Sequence, residues 1–78
     1  MIVHDLKIWP EYFERVKTGL KTFELRKDDR NFQVGDELLL REFNESYTGN
    51  ICHRKITYIL SGSQGIEKGY VILGLEKI

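Results

Sequence analysis

The chain is short of most features that narrow a function at once. It has a single cysteine, Cys52, so no internal disulfide can form, and no CxxC or His/Cys cluster offers metal-ligand spacing. That excludes a zinc-stapled scaffold, fits a reducing cytoplasm, and leads us to expect neither a metal nor a cofactor. Net charge is lacking too, because twelve basic and twelve acidic residues cancel. The long-range attraction that marks many nucleic-acid binders is therefore missing, and any basic site has to be local. No apolar run is long enough for a signal peptide or a membrane span, and His4 and Asp5 follow the first methionine almost directly. Repeats and low-complexity tracts are also missing, and the 41% hydrophobic content is spread to Ile78. Seventy-eight residues imply one domain over 1–78 with a thin core, in which a ligand sits in an open cleft.

What the chain does have is a clear order of elements. Residues 2–8 read as a strand with His4, Leu6 and Ile8 on one side and Val3, Asp5 and Lys7 on the other. The one proline, Pro10, suits the first position of a helix that runs to Lys17 or Thr18, and Gly19 is its left-handed stop. Tyr12, Phe13 and Val16 share a face at helical spacing. Strands follow at 21–27, at 37–43 after a tight turn at Gly35 and Asp36, at 51–60, and at 70–78. Residues 44–50 read as a loop with turn residues at both ends, and 61–69, with three glycines, as an exposed, mobile loop. In the strand at 51–60, Ile56, Tyr58 and Leu60 alternate with Thr57 and Ile59. Gly74 marks a bulge or a close backbone approach in the last strand. One early helix cannot cover both faces of an open five-stranded sheet, so the predicted fold is α+β, mainly β: a small barrel with the helix against one end or side.

The stretch "GLKTFELRKDDR" at 19–30 carries the chemistry. Strand alternation sends Phe23 and Leu25 one way, as core builders, and Thr22, Glu24 and Arg26 the other. The segment from Arg15 to Arg30 is locally basic, with Lys17, Lys21, Arg26 and Lys27 against Glu24, Asp28 and Asp29. A carboxylate beside a guanidinium suits base recognition, with Glu24 accepting from an amine or ring NH and Arg26 and Lys21 holding phosphate or a carbonyl. The competing reading is a solvated face on which Glu24 pairs with Arg41 or Lys55 and Arg26 with Asp36 or Glu42, worth at most about 1 kcal/mol per pair.

Gly19, Lys21, Glu24 and Arg26 spell GxKxxExR, which resembles the signature of the ASCH domain, a branch of the PUA-like superfamily. The preceding "LKIWPEYFERVKTG" and the later "VGD" resemble that family's first strand, proline-opened helix and turn, and the run of "HDLKI", "FELRKDDRNFQVGD" and "YTG" is similar to a subgroup of very short bacterial and phage ASCH-like proteins. The resemblance spans nearly the whole chain, most specifically residues 4–43. It implies a PUA-like β-barrel with the motif's charged residues in a cleft between the helix and the barrel, and a role in binding RNA or a nucleotide-like ligand. Some ASCH relatives are amidohydrolases or ribonucleases. In the amidohydrolases a threonine, the proposed nucleophile, occupies the place held here by Glu24. Thr22 lies about 6 to 7 Å away along a strand and does not inherit that role.

The candidate ligand-binding residues are accordingly Lys7, Lys21, Glu24 and Arg26, with His4, Arg30 and Tyr47 beside them and no assignable catalytic residue. Lys7 precedes the helix and is placed opposite Lys21. His4 is a candidate general base or stacking partner, against the commoner packed and hydrogen-bonded histidine. Arg30 either contacts a phosphate or caps its loop through Asp28 or Asp29, and Tyr47 is placed to cover a bound base. Trp9, Tyr12 and Phe13 are assigned to the core in preference to a stacking surface, and Cys52 lacks the setting of a nucleophile. The expected partner is single-stranded RNA or a nucleotide-like small molecule. The alternatives are a hydrolase acting on a modified nucleoside or RNA, and a protein-interaction module using a strand edge or the 61–69 loop.

Overall fold

A computed structural model describes residues 1–62 and 64–78. Its elements are β1 (Val3–Ile8), α1 (Pro10–Lys17), β2 (Phe23–Lys27), β3 (Glu37–Phe43), β4 (Tyr47–Ser61) and β5 (Tyr70–Lys77). The strands form one sheet in the order β1-β3-β4-β5-β2, with β1 parallel to β3 and every other pair antiparallel. The fold is thus mainly β with one short helix, and the sheet curls into a half-barrel. Among the described residues no helix is long and apolar enough to cross a membrane.

The curl leaves β1 and β2 as the two edges, and side chains span the seam between them. Arg26 Nη2 donates to the Lys7 carbonyl at 2.7 Å and Arg30 Nη1 to the Asp5 carbonyl at 3.0 Å. Two guanidiniums thereby occupy acceptors that an edge strand otherwise leaves to solvent or to a foreign strand.

Inside the curl lies the core. His4, Leu6 and Ile8 alternate inward along β1, Leu38 and Leu40 along β3, and Val71, Leu73 and Leu75 along β5. Helix α1 covers one end with Phe13 and Val16. Trp9, in extended conformation, leads into Pro10 at the first turn. At the other end Gly19 takes φ +87° and Arg54 Nη2 donates to the Val16 carbonyl at 2.9 Å, a cation where the helix dipole is negative.

Four sequence expectations change. Residues 47–50 are strand, because β3 and β4 form a hairpin in which Phe43 faces Tyr47 and Glu45 takes φ +64° at the tip. Glu42 Oε1 accepts from Thr48 Oγ1 (2.8 Å) and Asn50 Nδ2 (3.0 Å), so polar residues that resemble loop composition are pinned across the pair. In β4 the phase slips at Thr57, where the register jumps between Ile56 and Tyr58 opposite Gly74; Ile59 therefore packs on the core and Tyr58 is exposed. In β2 the faces are reversed relative to the expected core, with Phe23 and Leu25 outward and Glu24 buried. The predicted loop 61–69 includes Ser63, which lies outside the described residues; β4 runs through Ser61, and Tyr70 N bonds Glu67 O at 3.0 Å.

His4 and Asp36 form a buried pair that ties the N-terminus to the turn before β3. The Asp36 carboxylate accepts from His4 Nε2 at 2.8 Å and from the Ile2 and Gln33 amides at 3.1 Å each. The His4 bond lowers the Asp36 pKa most, burial opposes it, and the two amides lower it further. The His4 ring also meets Phe32 edge-on, with centroids 4.7 Å apart.

Candidate ligand-binding cleft

The chain places a carboxylate at the base of a recess by local means. After Gly19 the backbone stays tied to the helix end, Lys21 N donating to Arg15 O at 2.9 Å. Leu75 N donates to Thr22 O at 2.9 Å, which starts β2 alongside β5. From there the strand period turns position 24 inward, opposite the buried Leu73. Glu24 is 3% exposed, and each of its oxygens meets one cation: Oε1 accepts from Lys21 Nζ at 2.6 Å, Oε2 from Arg26 Nε at 3.0 Å. Those are charge-assisted bonds in a partly desolvated setting, stronger than a surface pair.

The recess is a cleft of about 800 Å³ between the start of α1, the end of β1 and the outer part of β2. Four cations line it, Lys7, Arg15, Lys21 and Arg26, against the one carboxylate of Glu24. Its walls are otherwise apolar, with Trp9 59%, Phe23 47% and Leu25 57% exposed and Tyr12, Leu20 and Phe43 completing them. Lys21 Nζ stands 4.9 Å from the Tyr12 ring centroid and 5.5 Å from that of Phe23, so one ammonium is shared by two aromatic faces and a carboxylate. Large side chains are thus left open to water around a few convergent polar groups, the usual make-up of a ligand pocket.

Of the residues singled out from the sequence, Lys7, Lys21, Glu24 and Arg26 come together in this cleft. Lys7 lies at its edge, with Nζ 4.4 Å from the Phe43 centroid. His4 is elsewhere, buried against Asp36. Arg30 closes the seam, with only a 3.9 Å approach to Asp29. Tyr47 stands just outside the lining, edge-on to Phe43 at 5.2 Å. The competing partners do not meet: Arg41 pairs with Asp5 at 3.2 Å, while Arg26 and Lys21 pair with Glu24.

Trp9 and Tyr12 are corrected from core to cleft wall; of the three aromatics at the helix start only Phe13 is buried. The signal is in the sequence. Trp9, Tyr12 and Arg15 recur every three residues and form a stripe beside the one that Phe13 and Val16 bury. Cys52 is buried and unpaired, and among the described residues no group of three or more His, Cys, Asp or Glu is arranged to hold a metal ion.

Known proteins resemble this chain at two levels. Residues 3–75 match the family described as Domain of unknown function (DUF3850). Over 72 residues the chain is 38% identical to the "Uncharacterized 12.9 kDa protein in GpA 3'region" of Escherichia phage P2, an alignment covering 91% of this chain and 65% of that protein. The chain therefore spans a little less than two thirds of the length of that curated relative.

Proposed function

The chain belongs to the DUF3850 family, and we propose that it is a PUA-like half-barrel that binds single-stranded RNA or a nucleotide-like small molecule in the cleft floored by Glu24. The observation that carries this reading is the buried Glu24 held between Lys21 and Arg26 beneath exposed aromatic rings. Stacking on a ring is open to any base, and cations beside it suit a phosphate or a base carbonyl. Each bound cation keeps donors to spare, since an ammonium has three and a guanidinium five. Glu24 thus fixes the two cations from beneath, and their spare donors are what a phosphate or a base carbonyl meets. The zero net charge fits a small ligand or a short strand better than a long duplex.

Trp9 is the one tryptophan and lines the cleft, so its fluorescence reports this site alone. Titration with AMP, CMP, GMP and UMP is expected to give saturable quenching for at least one of them. In Lys21→Ala the affinity falls about tenfold, the loss of one charge-assisted bond. No saturable change with any of the four at millimolar concentration overturns the proposal.

A further inference from the structure

The cleft does not end at Lys7. A chain of contacts leads from its floor across the β1 edge to the far side of the sheet. Glu24 holds Arg26, and Arg26 holds the Lys7 carbonyl at 2.7 Å. Lys7 Nζ reaches over Phe43 at 4.4 Å and approaches Tyr47 at 5.7 Å. The Arg41 guanidinium then lies 4.3 Å from the Tyr47 centroid. Phe43 belongs to both regions, since it also lines the cleft. Two cations and two rings thus form a second platform, continuous with the first and made of the same parts.

We infer that the ligand is a single nucleic-acid strand of at least two nucleotides, with one base in the Glu24 cleft and the neighbouring base on the Phe43–Tyr47 platform, its phosphate beside Lys7 and Arg41. This rests on the nucleotide reading of the cleft and names the class of ligand that reading leaves open. Tyr47 is 45% exposed and sits on a hairpin tip braced by the Glu42 bonds to Thr48 and Asn50, so it is presented at little entropic cost. An acidic peptide needs the cations but gains little from the rings, whereas a strand of nucleotides uses both in alternation. Arg41 is shared with Asp5 at 3.2 Å, a half-exposed pair that a phosphate can replace.

The test compares UMP, CMP, AMP and GMP with homo-oligoribonucleotides of two, four and six residues, on wild type, Tyr47→Ala, Tyr47→Phe and Arg41→Ala, each checked for fold by circular dichroism. Oligomers are expected to bind at least tenfold tighter than the monomer of the same base. Tyr47→Ala removes fivefold or more of that gain, which is the lower end of one base–aromatic stack, and Tyr47→Phe restores it. If monomers bind in the cleft but length adds nothing, or Tyr47→Ala leaves oligomer affinity intact, this inference is overturned and the cleft reading stands. If neither monomers nor oligomers bind, both are overturned. Equal affinity for a glutamate hexapeptide also overturns it, since charge alone then accounts for binding.

Discussion

Replacing Glu24 by alanine removes the shared partner of two cations. Lys21 and Arg26 have side chains 18% and 24% exposed, against 4% for Glu24 itself. Removing one member of a fully buried pair costs about 3 to 5 kcal/mol, while exposed pairs contribute about 0 to 1 kcal/mol. These cations lie between the limits, because both can turn toward the water of the cleft. The expected loss is therefore about 2 kcal/mol. For a domain of this length that lowers Tm by about 8 to 16 °C. Glu24→Gln keeps the volume and one carbonyl acceptor but sets an amide NH2 against one cation, so its cost falls between wild type and alanine. Urea unfolding followed by far-UV circular dichroism measures both variants. A double-mutant cycle with Lys21→Ala isolates the pair, with an expected coupling of about 1 kcal/mol or more. A stability change in Glu24→Ala within about 0.5 kcal/mol, together with zero coupling, refutes the reasoning, because the carboxylate is then not held between the two cations in solution.

Other outcomes follow from the same contacts. Asp36 has a pKa lowered from 3.8 in the folded chain, so its contribution to stability is fully present above that value and is lost as pH falls through the depressed folded pKa; Asp36→Asn is less stable at neutral pH and has a flatter acid limb in unfolding measured from pH 5 to pH 2. Arg30→Ala frees the Asp5 carbonyl at a cost of about 0.5 to 1 kcal/mol, and the amide shift of Leu6 moves in the NMR spectrum while β4 and β5 stay unchanged. Phe13→Ala empties the 2%-exposed center of the helix contact and costs about 3 to 5 kcal/mol, a large share of the stability of a chain this short, so thermal unfolding begins near ambient temperature.

Much of the fold was legible because local signals agree with one another. Pro10 and Gly19 bracket the helix, and alternation in β1 names its buried side correctly, with His4, Leu6 and Ile8 inward. Alternation in β2 separates Glu24 and Arg26 from Phe23 and Leu25 but carries no information on which side is in. That is decided by tertiary structure: β2 is an edge strand, and at the cleft it faces the start of α1 and the end of β1. The bulge at Thr57 breaks period-2 reasoning in β4 without any local breaker in that strand; the trace it leaves is Gly74 across the ladder. The extension of β4 to Tyr47 is hidden for a different reason. Thr48, Gly49 and Asn50 have turn composition, yet they lie within the β3–β4 hairpin, where the Glu42 carboxylate, six and eight residues away, bonds the Thr48 and Asn50 side chains. Lys21, Glu24 and Arg26 stand out as charges near one another in the chain, with Lys7 set apart on β1, whereas the aromatic walls go unseen, because Trp9 and Tyr12 at a helix start look like core until the helix is docked.

The measurement that bears most directly on the cleft is a 1H–15N NMR titration of the intact chain with AMP, CMP, GMP and UMP, followed at the backbone amides and the Trp9 indole. Saturable shifts centred on residues 4–8 and 20–27, the Trp9 indole and the cleft-lining Tyr12, Arg15 and Phe43, with weaker affinity in Lys21→Ala, are the predicted result. Spectra that stay superimposable at millimolar nucleotide, or shifts that map to the β4–β5 face and leave Trp9 and residues 20–27 untouched, contradict it.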